Sequence, residues 1–211
     1  MTRIIGIVQV KGGVGRSTVS TNLAATLSKQ HTTTLIDCDL PQGTASSWFA
    51  LRSANNSPDN LAFAAAEEHN EMIEQVQSCN TDYIVLDAPP RIAEVTRAML
   101  MLCDLITIPV GATAAELWAT SDLMETISEA KEKKPKLQYR LLWNKYRAGT
   151  KSAQELTKDV EPDVSTFSTK LGFRVAYADA LASGLSVAEW KDKKAKQEII
   201  NLTNEIIELL G

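Results

Sequence analysis

The 211-residue sequence is short of cysteine and has no apolar segment of membrane-spanning length, and each shortage narrows what it can be. Cys38, Cys79 and Cys103 are odd in number, widely spaced and form no CxxC pair, which argues against a disulfide framework, a zinc site or an iron–sulfur cluster. No hydrophobic run approaches the ~20 residues that cross a bilayer. The first residues enter an apolar run with no basic-then-apolar leader, so a cytosolic protein is expected. Repeats, low-complexity tracts and domain-sized linkers are also missing, and the length suits one domain over 1–211 with a full core.

Neither charge sign dominates, the formal net being −4, but the distribution is uneven. Residues 1–138 carry 11 basic and 16 acidic residues, 139–196 carry 11 and 7, and 197–211 carry none and 3. The late basic surplus includes Lys145, Arg147, Lys151, Lys170, Arg174, Lys191, Lys193, Lys194 and Lys196. Scattered lysines can be a solvated surface; clustered on a dimer they would bind DNA phosphates without reading sequence.

Short apolar runs alternate with longer amphipathic ones. They predict strands near 3–9, 33–37, 82–87, 104–110, 137–143 and 172–176, and helices near 17–29, 42–53, 67–78, 92–102, 114–133, 151–160 and 194–210. The implied fold class is α/β, a mostly parallel twisted sheet flanked by helices on both faces, with ligands at the carboxyl ends of the strands. The last helix is amphipathic but presents Glu198, Glu205 and Glu208, not the basic face of a membrane-surface helix, and is expected to pack onto the sheet.

Residues 11–18 read KGGVGRST and follow the apolar run Ile4-Ile5-Gly6-Ile7-Val8. Gly12, Gly13 and Gly15 let the backbone wrap an anion with Val14 between them, and Ser17 and Thr18 open a helix whose amino end favours negative charge. In the usual phosphate loop a lysine precedes the hydroxyl; here Arg16 stands in that place and Lys11 precedes the glycines. Two carboxylates, Asp37 and Asp39, end the second strand at i and i+2, which puts both on one face of an extended chain. A further strand, 82–87, ends in Asp87, the pattern of a Walker B aspartate that holds Mg²⁺ through water. Asn144 closes a later strand, where asparagine is otherwise a turn former.

Taken in this order, KGGVGRST, the DxDxxQG stretch 37–43 and the strand ending in Asp87 resemble the ParA/MinD ATPases with a deviant phosphate loop, most nearly the short single-domain ParA proteins. That resemblance implies ATP and Mg²⁺ as cofactors and slow ATP hydrolysis. It places Lys11 to Thr18 around the phosphates and Asn144 at adenine. Ser17, Asp37 and Asp87 would surround the metal, Asp39 would orient the attacking water, and Gln42 would belong to a moving switch. Lys11 would cross a dimer interface to the partner's nucleotide, so that an ATP-bound homodimer forms.

The resemblance further implies nonspecific DNA binding through Lys145, Arg147, Lys170, Arg174, Lys191, Lys193 and Lys194, nucleoid association in the cytoplasm, an adaptor that stimulates hydrolysis, and no membrane. The cargo would be a plasmid, a chromosome region or a large protein assembly. Without a helix-turn-helix extension ahead of the ATPase core, operator binding is not expected. Arg16 keeps the charge of lysine with a different reach, so transition-state geometry is expected to suffer and lysine there to raise turnover. Other readings of the same fold are an ATP-dependent ligase of the dethiobiotin synthetase kind and a MinD-like membrane-associated ATPase; a metal-cluster carrier of the Mrp kind loses its support without CxxC.

Overall fold

Strands that are apolar on both faces need cover on both sides, and the chain supplies it by alternating strand and helix. A computed structural model describes residues 2–55, 60–149 and 164–211. Strands β1 (Arg3–Ile7), β2 (Thr33–Asp37), β3 (Leu61–Ala65), β4 (Tyr83–Asp87), β5 (Leu105–Val110) and β6 (Gln138–Trp143) form one sheet in the order β3-β2-β4-β1-β5-β6. Every pairing is parallel.

The helices are α1 (Arg16–Leu27), α2 (Thr44–Ala54), α3 (His69–Ser78), α4 (Glu94–Leu102), α5 (Ala114–Trp118), α6 (Ser121–Lys133), α7 (Val175–Ala182) and α8 (Lys193–Leu210). On one face Ile5, Ile7, Leu35 and Val85 pack with Val19 and Leu23 of α1, Trp48 of α2 and Ile199 and Leu202 of α8. On the other, Ile36, Ile84, Leu86 and Ile106 pack with Met72 of α3, Met99 of α4 and Ile127 of α6.

Pairing register sets the level of the functional residues. Asp87 of β4 lies opposite Asp37 of β2 on one side and Ile7 of β1 on the other. The carboxyl end of β1, where the glycine loop begins, therefore sits beside two aspartates at one height. The chain runs to β2 and β3 on one side of β1 and to β5 and β6 on the other, the reversal at which such sheets open a crevice.

Three expectations are corrected. The stretch 172–176 is not a strand: Gly172 makes an isolated bridge to Tyr146 and the chain enters α7. Alanines 176, 178, 180 and 182 favour helix, and a short apolar run does not by itself distinguish the two states. Strand β3 was not anticipated, because Leu61-Ala62-Phe63-Ala64-Ala65 lacks β-branched residues; parallel pairing to β2 at the sheet edge overrides that weak propensity. The helix expected over 114–133 is two, broken between Trp118 and Ser121, where the Thr120 hydroxyl turns back to the Leu117 carbonyl. The helix expected near 151–160 lies outside the described residues.

Helix α8 buries Ala195, Ile199, Leu202, Ile206 and Leu210, as its apolar stripe requires. Asp192 caps its start, accepting from the Lys194 and Ala195 amides. Two glutamates on its polar side are structural. Glu198 accepts from Arg174, Tyr177 and the Gly172 amide, and Glu205 from the Ser168 and Thr169 amides. Ile199→Ala should lower unfolding free energy by ~2–5 kcal/mol in urea titration. A loss under about 1 kcal/mol would show that α8 is not a packed part of the core.

Candidate functional site

After β1, the loop turns through Gly13 and Gly15, both at positive φ (77° and 92°), and Gly15 leads directly into α1. A Cβ on Gly15 would stand 2.5 Å from Asn144 Nδ2, so glycine is required there by conformation and by space. No side chain caps the amino end of α1 and its first turn carries no acidic residue, so its N–H groups remain available to an anion. The loop borders a cleft of about 430 Å³ lined by Gly12, Gly13, Ser17 and Thr18 and by Asp39 and Gln42.

The two level aspartates differ in their bonding. Asp37 accepts three hydrogen bonds, Oδ1 from the Asp39 amide at 3.0 Å and Oδ2 from the Ser46 amide and hydroxyl at 2.9 and 2.6 Å, which leaves a lone pair of Oδ1 unused. Asp87 is fully buried and neither oxygen accepts a hydrogen bond. Burial pushes its carboxyl up to about 7; the nearby Ser17 hydroxyl, short of hydrogen-bond geometry, and Arg16 oppose this, while Asp37 and Asp39 add to it. A buried carboxylate without a donor, beside a hydroxyl and a second carboxylate, suits a hard cation that keeps several waters. Among the described residues no cluster of three or more His, Cys, Asp or Glu side chains could hold a metal alone.

Arg16 turns inward. Its Nε donates to the Ala88 carbonyl at 2.9 Å, and Nη1 donates to the carbonyls of Gln9 and Lys11 at 2.8 and 2.9 Å. Nη2 lies 3.6 Å from Asp39 Oδ2, with both side chains more than nine-tenths buried. Burial lowers the guanidinium pKa while Asp87 and Asp39 resist the shift. Arg16 thus staples the glycine loop to the chain just after Asp87, a task that a single ammonium cannot perform.

Lys11, half-exposed, has its ammonium 3.7 Å from Glu116 Oε1, and Glu116 Oε2 accepts from the Gly111 amide at 2.6 Å. Glu116 escaped the sequence reading although Thr113-Ala114-Ala115-Glu116 has the spacing of a capping box. Ser46 left no such signal. At the far side of the loop, Asn144 Nδ2 donates to the Val14 carbonyl at 2.7 Å and Lys145 Nζ to the Gly13 carbonyl at 2.6 Å. Lys145 therefore sits at the cleft.

A second cavity of about 360 Å³ adjoins the first, sharing Thr18 and Lys145 and lined also by Asn144, Phe173, Val175 and Tyr177. The remaining basic residues differ in their surroundings, and Arg174 lines this cavity with Lys145. Arg147 lies over the Phe173 ring and Lys170 over the Tyr146 ring, at 4.3 and 4.6 Å. Arg174 is engaged by Glu198 at 2.6 Å. Lys191, Lys193 and Lys194 are exposed together at the start of α8. Lys151 lies outside the described residues.

Residues 5–187 match the CobQ/CobB/MinD/ParA nucleotide binding domain. The Maintenance of carboxysome distribution protein A of Halothiobacillus neapolitanus is 29% identical over 209 residues, covering 96% of this chain and 95% of its own. The structure of MinD from Pyrococcus horikoshii OT3 complexed with Mg-ADP aligns with a TM-score of 0.77 at 20% identity, over 100% of this chain and 98% of that one. A variant of McdA from Cyanothece in complex with ATP aligns with a TM-score of 0.77 at 16% identity, over 97% and 96%.

The contacts of Arg16 lead to an expectation opposite to the one drawn from its sequence position. Arg16→Lys leaves at least one buried carbonyl without its donor, at a cost of ~1–3 kcal/mol, so urea titration should show a stability loss of that size. Turnover, measured as phosphate release, should fall with it. A variant as stable as the parent and faster would show that the staple is dispensable.

Proposed function

The chain belongs to the family of CobQ/CobB/MinD/ParA nucleotide-binding domains, and on that premise we propose that it is an ATP-dependent positioning switch of the ParA kind. The observation that carries the nucleotide part is Asp87: an unpartnered buried carboxylate, level with Asp37, at the mouth of a glycine loop whose amides face no side-chain cap.

In this reading the loop amides and the start of α1 bind the phosphates, and Ser17, Asp37 and Asp87 hold Mg²⁺. The metal, when bound, neutralises charge on the terminal phosphates. Asp39, which lines the cleft, orients the attacking water. The adenine enters the mostly apolar second cavity beside Phe173. Asn144 is held at both ends of its amide, by the Val14 carbonyl and the Lys145 amide, which leaves its second N–H and a second lone pair of Oδ1 for a base.

The switch part draws on Lys11 and on the relatives. A half-exposed ammonium, next in the chain to the cleft-lining Gly12 and held by an ion pair to Glu116, is free to be drawn to a partner's γ-phosphate once ATP is present. The end-to-end alignment with a carboxysome distribution protein favours a positioning role over a metabolic ligase on the same fold. The exposed trio Lys191, Lys193 and Lys194 supplies a local basic face for DNA phosphates in an acidic chain. No helix among the described residues is long and apolar enough to cross a membrane, and the apolar side of α8 is consumed by the core.

Light scattering should show a dimer with Mg²⁺ and ATP, a monomer with ADP, and a monomer in both for Lys11→Ala. The ATP form should bind duplex DNA without sequence preference, with log K falling by about 0.9 per phosphate contact against log salt. Replacing Lys191, Lys193 and Lys194 by glutamate should remove that binding and leave dimerisation intact. An ATP dimer indifferent to DNA at low salt would contradict the nucleoid-based reading, and dimerisation of Lys11→Ala would contradict the cross-subunit lysine.

A further inference from the structure

Lys145 is the one residue other than glycine at positive φ (51°) among the described residues. That conformation costs free energy for a side chain with a Cβ and persists only where the surroundings enforce it. Here they do. Asn144 Oδ1 accepts from the Lys145 amide at 2.9 Å, the Asn144 amide donates to the Val110 carbonyl, and the Tyr146 amide donates to the Leu171 carbonyl. The strained residue is tethered on both sides, so the turn is imposed and does not reflect a slack loop.

The result of the turn is that the Lys145 side chain reaches back to the glycine loop, where its ammonium donates to the Gly13 carbonyl at 2.6 Å. The neighbouring Asn144 donates to the next carbonyl, Val14. In a trans peptide the C=O and N–H groups are antiparallel, so holding these two carbonyls also fixes the direction of the Val14 and Gly15 N–H groups, which such a loop offers to an anion. The absence of a side chain at Gly15 leaves room for the Asn144 donor, since a Cβ there would stand 2.5 Å from Asn144 Nδ2. Arg16, which the motif would assign to the phosphates, is committed to three carbonyls and Asp39.

We propose that Lys145 is a positioning residue of the nucleotide site, which pins the phosphate loop at Gly13 and lends its positive charge to the cleft, and is not a DNA contact. The charge role rests on the nucleotide-binding reading given above; the pin does not.

Full-length protein carrying Lys145→Met, with Lys145→Arg as the charge-retaining variant, separates the two roles. Calorimetric titration with Mg-ATP and with Mg-ADP should show affinity for both weakened about tenfold in Lys145→Met, the scale of one lost charge-assisted hydrogen bond, and partly restored in Lys145→Arg. Hydrogen exchange of amides 11–16 in the nucleotide-free protein should be faster in Lys145→Met than in the parent. At saturating ATP, the salt slope of duplex binding should not change. Unaltered exchange over 11–16 overturns the pin, whatever the affinities. Unaltered nucleotide affinity overturns the charge role, and loss of about one phosphate contact from the salt slope would make Lys145 a DNA residue. If the parent itself binds no nucleotide, the ATPase reading fails, and the exchange measurement still decides whether Lys145 holds the loop.

Discussion

Asp37 and Asp87 are buried side by side at the carboxyl edge of adjacent parallel strands, and the cost of keeping two carboxylates out of water shapes what surrounds them. Asp37 is compensated by three donors, two of them from Ser46 at the start of α2. Asp87 has no donor and only the through-space help of Arg16 and the Ser17 hydroxyl. The protein therefore carries an electrostatic deficit at one point of the sheet edge, and a divalent cation delivered with a polyphosphate is the species that would relieve it. Fold and chemistry meet in the strand register, since a one-residue slip of β2 against β4 would turn one of these carboxylates to the other face.

The glycine loop beside this pair is held from two directions. Arg16 draws it toward β4 through the Ala88 carbonyl, and Asn144 and Lys145 draw it toward the end of β6 through the Val14 and Gly13 carbonyls. Those contacts are made by protein groups alone, which limits the motion of the amides that would cradle phosphate and the binding free energy lost to ordering them. The pair Lys11 and Glu116 stands apart: an ion pair of a half-exposed ammonium is weak enough to be exchanged, which a residue that changes partner during a cycle requires.

What was legible in the sequence was what is local in the chain. The run from Ile4 to Thr18 carries strand, loop and helix start in consecutive residues, and Asp37, Asp39 and Asp87 announce themselves as acidic residues closing apolar strands. The partners of Arg16 were not legible, because its carbonyl acceptors at Gln9, Lys11 and Ala88 become neighbours only through tertiary folding and carbonyls have no sequence signature. Lys145 read as one of many late lysines because nothing in composition marks a residue forced to positive φ. Strand β3 and helix α7 were missed for a related reason: Leu61–Ala65 and Val175–Ala182 are both short, alanine-rich and apolar, and only pairing to β2 in one case and packing against α1 in the other decides between them.

The central claim is that the unpartnered carboxylate of Asp87 is a metal-assisted nucleotide site. Thermal unfolding of parent and Asp87→Asn, each alone and with ATP in the presence and absence of Mg²⁺, tests it most directly. The account predicts that Asp87→Asn melts higher than the parent when unliganded, because a buried charge without a donor has been removed, and that it loses the extra stabilisation which Mg²⁺ adds to ATP in the parent. An Asp87→Asn protein that is less stable when unliganded, or that keeps the full Mg²⁺-dependent stabilisation by ATP, would contradict it.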